Sequence, residues 1–297
     1  MMKVMFVSNW GESSSSLLLR FSRQTPKLSG NWKNISGTDK PEEADVVIAF
    51  DGVPSGFDYD PENTILLTRE PNFIRSPETH GFRHVNTWED GHCGITWWLG
   101  KSYDELMELP CPEKVYSASC VTSSKHKRRN RFIKKIFGRR RLLELKKTQI
   151  DLFGRGHAVE DYGKNYKGEL SGHGNCKLDG LLPYRYSLVL ENSSQKNYWT
   201  EKLADALLAW CVPVYWGCPN IDDFFETGTV LKIDLDMKKT EINHIVTQPV
   251  SSGMLDGIKL AREKIINEYN IWEVIREIIK KELGPVYCKK SWEDRLY

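Results

Sequence analysis

Apolar residues recur along the chain in short unbroken runs, each closed by polar or glycine-containing sequence. Val4 to Ser8 runs into Asn9-Trp10-Gly11, the pattern of a buried strand entering a loop. Asp45 to Phe50 and Thr64 to Thr68 repeat it. Val115 to Val121, Ile150 to Gly154, Tyr186 to Leu190, Val212 to Trp216 and Val230 to Ile233 form a second series. Apolar strands separated by longer connections predict parallel sheets in an α/β protein. A helix is predicted after the serines at 13–16, which either cap it or line a ligand cleft. Further helices are predicted from about Arg129 and from near Thr200. In Leu255 to Leu283 the apolar positions Ile258, Ala261, Ile265, Tyr269, Trp272, Ile275 and Ile279 have helical spacing, and Gly284-Pro285 is a stop signal.

At 297 residues the chain has room for two domains. Pro110-Cys111-Pro112 is the best linker candidate, giving an N-terminal Rossmann-like domain over residues 1–111 and a C-terminal one, with terminal helices, over 112–297. A net charge of +2, from 42 Lys+Arg against 40 Asp+Glu, excludes a uniformly basic binder. The seven cysteines form no CxxC pair and lie mostly in apolar runs, as reduced core residues of a cytosolic protein do. The first apolar run reaches Asn9 too soon for a signal peptide, and no run approaches the ~20 residues that cross a bilayer. The expectation is a soluble cytoplasmic protein, with peripheral attachment to the inner membrane face left open. Ten tryptophans mean either buried rings or surfaces that stack on sugars or bases.

Twelve cations crowd the segment Lys125 to Lys147, with Phe132, Ile133, Ile136 and Phe137 interleaved at helical spacing. This is an amphipathic helix whose basic face is merely solvated, meets nucleic acid, or attracts anionic membrane or polysaccharide. A fourth reading gives one arginine to a phosphate group.

The densest chemistry lies between Tyr184 and Phe224. An apolar strand delivers Glu191 and Asn192 to its carboxyl edge, where α/β sheets bind ligands. A polar loop with Asn197, Tyr198 and Trp199 leads to a helix opening at Thr200-Glu201-Lys202, whose free N–H groups and dipole suit a diphosphate. Lys202 adds a point charge, and Glu201 is an acceptor for ribose hydroxyls. Val212-Pro213-Val214-Tyr215-Trp216-Gly217-Cys218-Pro219-Asn220 closes the block, ahead of Asp222-Asp223-Phe224.

This block resembles the signature of the α-1,3-fucosyltransferase family, in which a YKFxLxFENS strand leads through DYxTEK to VPVxxGxPNxxDF. The resemblance covers about forty residues, and its specificity lies in the order and spacing of all the parts together. It implies a GT-B fold of two facing Rossmann-like domains, GDP-fucose as donor and inversion at the anomeric carbon. Thr68-Arg69-Glu70-Pro71 is similar to the N-domain segment that carries the general base, which makes Glu70 the catalytic candidate. Arg129-Asn130-Arg131-Phe132 is similar to the segment whose arginine contacts the donor diphosphate, and Phe153-Gly154-Arg155-Gly156 to a glycine turn of the donor domain. The donor site implied is Arg129, Glu191, Asn192, Tyr198, Thr200, Glu201 and Lys202. For Glu191 and Tyr198 a structural brace is an equal alternative.

The chain departs from the pattern at Asn197, where Asp is usual, at Trp199, where a smaller residue is usual, and at Trp210, where Gly is common. It lacks the cysteine-pair motif and anchor of animal and plant members and the heptad repeats of some bacterial ones, as bacterial or viral members do. With a lysine, an arginine and a helix dipole supplying positive charge, no metal or other cofactor is required, although stimulation by Mn²⁺ or Mg²⁺ stays open. Asp58-Tyr59-Asp60 and Asp234-Leu235-Asp236 have DxD spacing but read as turn residues. The implied partners are GDP-fucose and an oligosaccharide or glycolipid acceptor, presented near Trp10, Trp32 and Trp97-Trp98. The linkage implied is to O3 of GlcNAc or Glc. Two alternatives remain: a GT-B transferase using another nucleotide sugar, and a basic nucleic-acid or lipopolysaccharide-binding module.

Overall fold

The structure, a computed structural model, describes residues 1–71, 81–138, 148–170 and 176–284. In the first half the elements are β1 (Met2–Ser8), α1 (Ser14–Ser22), β2 (Asn31–Trp32), β3 (Ile35–Thr38), β4 (Val46–Phe50), β5 (Thr64–Leu67), β6 (His84–Asn86) and α2 (Tyr103–Glu108). The sheet order is β2-β3-β1-β4-β5-β6, with every pairing parallel except β2 with β3. β1 sits centrally, which is why it is apolar on both faces. Ser13 caps α1 by accepting from the Ser16 backbone N–H, so the serine run is a helix start.

The second half contains β7 (Tyr116–Val121), α3 (Lys127–Phe137), β8 (Ile150–Phe153), α4 (Val159–Tyr162), α5 (Cys176–Asp179), β9 (Tyr184–Leu190), α6 (Glu201–Leu208), β10 (Val212–Trp216) and β11 (Leu231–Lys232). Helices α7 (Lys239–Thr247), α8 (Ser252–Asn267) and α9 (Ile271–Leu283) follow. Its sheet, β11-β10-β9-β7-β8, is parallel throughout. Two facing parallel α/β sheets form the GT-B architecture. The long C-terminal run is two helices rather than one. Asn270 interrupts it and caps α9 by accepting from the backbone N–H groups of Trp272 and Glu273.

The two cores exchange segments across the boundary at 111/112. Ile271, Trp272, Ile275, Ile278 and Ile279 of α9 bury in the first core, against Phe6 and Phe21. Ile95, Trp97, Leu99 and Leu106 bury in the second. Helix α9, within the 112–297 span, thus packs on the core of the first sheet. Helical spacing shows that a face is buried but not against which sheet. Arg262 reinforces the crossing by donating to the carbonyls of Leu106, Leu109 and Leu208.

On α3 the interleaved apolar residues and Arg129 are buried, while Lys127, Arg128, Arg131, Lys134 and Lys135 are exposed. Arg139, Arg140, Arg141, Lys146 and Lys147 of the basic segment, Pro285 of the stop signal and Trp292 lie outside the described residues. Four cysteines, Cys93, Cys120, Cys211 and Cys218, are buried free thiols, and Cys111 is an exposed one. Among the described residues no helix is long and apolar enough to cross a membrane.

Candidate active site

The carboxyl ends of β1, β5, β7 and β9 open into one cleft of about 440 Å³ between the two sheets. Six of the seven sequence-derived donor-site residues, Arg129, Asn192, Tyr198, Thr200, Glu201 and Lys202, line it, and so does Glu70 from the first half of the chain. Glu191 does not reach the cleft. It is fully buried, and Thr200 donates to its carboxylate twice, from the backbone N–H at 2.9 Å and from the hydroxyl at 2.7 Å. Of the two readings open for Glu191, the geometry is that of a brace for the start of α6. Burial pushes its pKa up, against the pull of Lys202.

The Lys202 ammonium lies 3.1 Å from Glu201, 3.5 Å from Glu191 and 3.0 Å from the Thr200 hydroxyl. Burial alone would lower its pKa, but Glu201 and Glu191 outweigh that and hold it raised. Burial likewise pushes Glu201 up, yet Lys202 and Lys177 hold its carboxyl at about 2. Arg129, buried by α3, donates from Nη1 to Asn192 Oδ1 at 2.9 Å and from Nη2 to Ser123 at 3.2 Å. Its Nε–H is buried and unpartnered among the described residues. A lysine, an arginine with a spare donor and the capped N-terminus of α6 thus converge on one spot, which suits a diphosphate.

Tyr198 belongs to the first core: its ring meets Trp88 edge-on at 5.0 Å, and burial pushes its phenol far up. Asn197 adopts φ 63°, a conformation asparagine tolerates, and donates to the Trp88 carbonyl. Trp199 is fully buried, stacked on His92 at 4.2 Å; burial lowers the His92 pKa to about 3, so that ring is neutral. The unusual Asn-Tyr-Trp run is therefore the seam between the halves.

On the opposite wall the Glu70 pKa is raised by burial in the first place, opposed by Lys202 and raised further by Asp51 and Glu201. Its Oε2 is buried without a partner among the described residues. Asp51, which the sequence did not mark, accepts from the Arg69 backbone N–H at 2.7 Å and from the Trp10 indole N–H at 3.1 Å. Arg20, Arg69, Trp88 and Trp98 also line the cleft. They come from separate loops and elements, so no local motif announces them. Of the tryptophans expected to face an acceptor, Trp32 and Trp97 are core residues instead, and only Trp10 and Trp98 keep exposed faces in the cleft.

Beside the cleft, and sharing His126 and Asn192 with it, lies a second cavity of about 560 Å³ lined also by Lys127, Arg128 and residues 193–195. Arg128 sits 4.8 Å over the Trp216 ring. The DxD pairs stand apart from both cavities. Asp60 accepts from the Glu62 backbone N–H and the Asn63 amide, as a turn residue does, and no metal-ligating cluster occurs among the described residues.

Residues 113–244 match the model of glycosyltransferase family 10 (fucosyltransferase), C-terminal part. Over that segment, less than half of the chain, the sequence is similar to that family. Over 76 residues it is 36% identical to a putative fucosyltransferase-like protein of Arabidopsis thaliana, covering 26% of this chain and 13% of that protein. Over 57 residues it is 32% identical to the alpha-(1,3)-fucosyltransferase FucT of Helicobacter pylori, covering 19% of this chain and 12% of that one. The aligned stretches thus span about an eighth of each curated relative. A solved alpha1,3-fucosyltransferase structure superposes with TM-score 0.50 at 16% identity, covering 95% of this chain and 89% of that one, a likeness of fold. The family 10 match contains every donor-side residue of the cleft and excludes Glu70.

Two glycines of the family 10 segment carry steric weight. A Cβ at Gly217 would sit 2.3 Å from the Tyr215 hydroxyl and 2.5 Å from Glu191, and one at Gly154 (φ 128°) would strike the Thr122 carbonyl. Both keep loops close against the strands that carry the site.

Proposed function

We propose that the chain is an inverting glycosyltransferase that moves L-fucose from GDP-fucose to a hydroxyl of an oligosaccharide or glycolipid, with O3 of GlcNAc or Glc as the first choice. The observation that carries this reading is the convergence of Arg129, Asn192, Tyr198, Thr200, Glu201 and Lys202 with Glu70 across one cleft. The family 10 likeness supports fucose as the sugar.

In this reading the diphosphate rests on Lys202, Arg129 and the α6 N-terminus, and Glu201 receives ribose hydroxyls. The neighbouring cavity at His126 and Arg128 gives the nucleoside room. The acceptor hydroxyl gives its proton to Glu70 while its oxygen bonds to C1 of the fucose. The C1–O bond to GDP breaks, its electron pair leaving on the β-phosphate. Attack on C1 from the Glu70 side, in line with GDP leaving on the other, would invert C1. Burial of Glu70 raises its proton affinity towards working pH.

Charge developing on GDP is met by fixed cations, so the chemistry runs without a divalent ion and activity should persist in EDTA. Calorimetric titration tests the donor directly. GDP-fucose should bind at least tenfold more tightly than UDP-glucose or GDP-mannose. Equal affinity for GDP-mannose would move the reading to another sugar, and no affinity for GDP would sink it.

A further inference from the structure

Trp10 and Trp98 are 40% and 51% exposed, and both line the cleft that holds Glu70. The Trp10 ring stacks at its back on Phe50, with centroids 5.8 Å apart and planes at 26°, and its N–H is satisfied by Asp51 Oδ2 at 3.1 Å. The ring is thus fixed and its one polar group is spent, so what it offers is an aromatic face. Such a face, with its negative quadrupole, attracts the weakly positive C–H face of a pyranose.

Arg20 adds polarity with its charge offset. The Arg20 guanidinium lies 5.3 Å from the Trp98 ring and is neutralised by Glu12 at 2.9 Å, while its Nε–H is buried and unpartnered among the described residues. That combination suits a hydroxyl-bearing neutral sugar better than an acidic one. The second oxygen of the Asp51 carboxylate holds the Arg69 backbone N–H at 2.7 Å, one residue before Glu70. One side chain, 5% exposed and at φ 55°, therefore ties the aromatic platform to the segment carrying the base.

We infer that Trp10, Trp98 and Arg20 form the acceptor subsite, that a neutral pyranose of the gluco or galacto type stacks on Trp10, and that Asp51 sets the register between that ring and Glu70. This rests on the transferase reading given above, which gives the acceptor only its base, Glu70. Asp51 is a positioning residue: it touches neither reacting oxygen.

The test uses N-acetyllactosamine as probe, in two independent measurements on wild type, Trp10→Ala, Trp10→Phe and Asp51→Asn. Saturation-transfer NMR reads sugar binding without any reaction, with GDP affinity as the folding control. Trp10→Ala should weaken disaccharide binding at least tenfold with GDP affinity within twofold, and Trp10→Phe should recover most of the loss. Transfer from GDP-fucose is then measured. Trp10→Ala should raise the acceptor KM at least tenfold. Asp51→Asn should lower kcat about tenfold while changing the acceptor KM no more than threefold. Disaccharide binding that is absent in wild type, or unchanged in Trp10→Ala, overturns the subsite. Unchanged kcat in Asp51→Asn overturns the register. Binding that depends on Trp10 without turnover of GDP-fucose leaves the subsite standing and defeats the donor reading instead.

Discussion

The Glu191 carboxylate accepts both polar hydrogens of Thr200, at 2.9 and 2.7 Å, and so fixes the residue that opens α6. The Thr200 hydroxyl also accepts from the backbone N–H and the ammonium of Lys202. Its lone pairs are taken, so an amide at 191 would face it with a donor that has no acceptor. Glu191→Gln should therefore cost about 1–3 kcal/mol of stability and weaken GDP binding, read by denaturant unfolding and calorimetry. A variant as stable as wild type would show that the brace is dispensable.

In the proposed reading Lys202 receives the donor diphosphate, and across the cleft it also lowers the pKa of Glu70. Lys202→Met should cut kcat by ~10²–10³, the scale of removing one preorganised charge. It should also move the acidic limb of the kcat/KM profile to higher pH, because Glu70 loses a cation that favours its ionised form. A limb that stays in place would separate Lys202 from the base.

Trp210 has φ 62°, in the left-handed region that favours glycine. Its ring covers Arg262 at 4.3 Å and its indole N–H donates to the Leu109 carbonyl. Both Trp210→Ala and Trp210→Gly lose those contacts, but only alanine keeps the strain. Glycine should be the milder of the two by about 1 kcal/mol in thermal or urea unfolding. Alanine equal to glycine would contradict this.

Glu273 of α9 accepts from Trp32, Lys33 and Arg276, contacts that outweigh burial and hold its carboxyl at about 2. A depressed carboxyl stabilises the fold above the ordinary glutamate value, ~4.3, and that contribution is lost as pH falls towards 2. Glu273→Gln should be less stable than wild type at pH 7, by about 1–2 kcal/mol, with the difference closing between pH ~5 and 2. A gap independent of pH would assign the loss to packing.

The strands of both sheets that carry the cleft were legible because burial on both faces makes β1, β4, β5, β9 and β10 continuous apolar runs. β2, β3 and β6 were not: Asn31-Trp32, Ile35-Ser36-Gly37-Thr38 and His84-Val85-Asn86 are short and mixed in polarity. The donor side of the cleft was legible because one strand edge and one helix start, close in sequence, carry it. Asp51 and Arg20 were not, since their roles arise only when separate strand ends meet. Trp32 and Trp97 could not be told from Trp10 and Trp98 for the same reason: composition counts rings but does not orient them. The docking of α9 on the first sheet depends on the partner its buried face meets, and no periodicity encodes that.

The most direct test of the account is Glu70→Gln measured beside wild type, with GDP affinity by calorimetry and acceptor-dependent release of GDP from GDP-fucose. The account predicts GDP affinity within twofold of wild type and a loss of transfer of at least 10², the range of a removed general base. Transfer at the wild-type rate in Glu70→Gln, with GDP still bound, would contradict it.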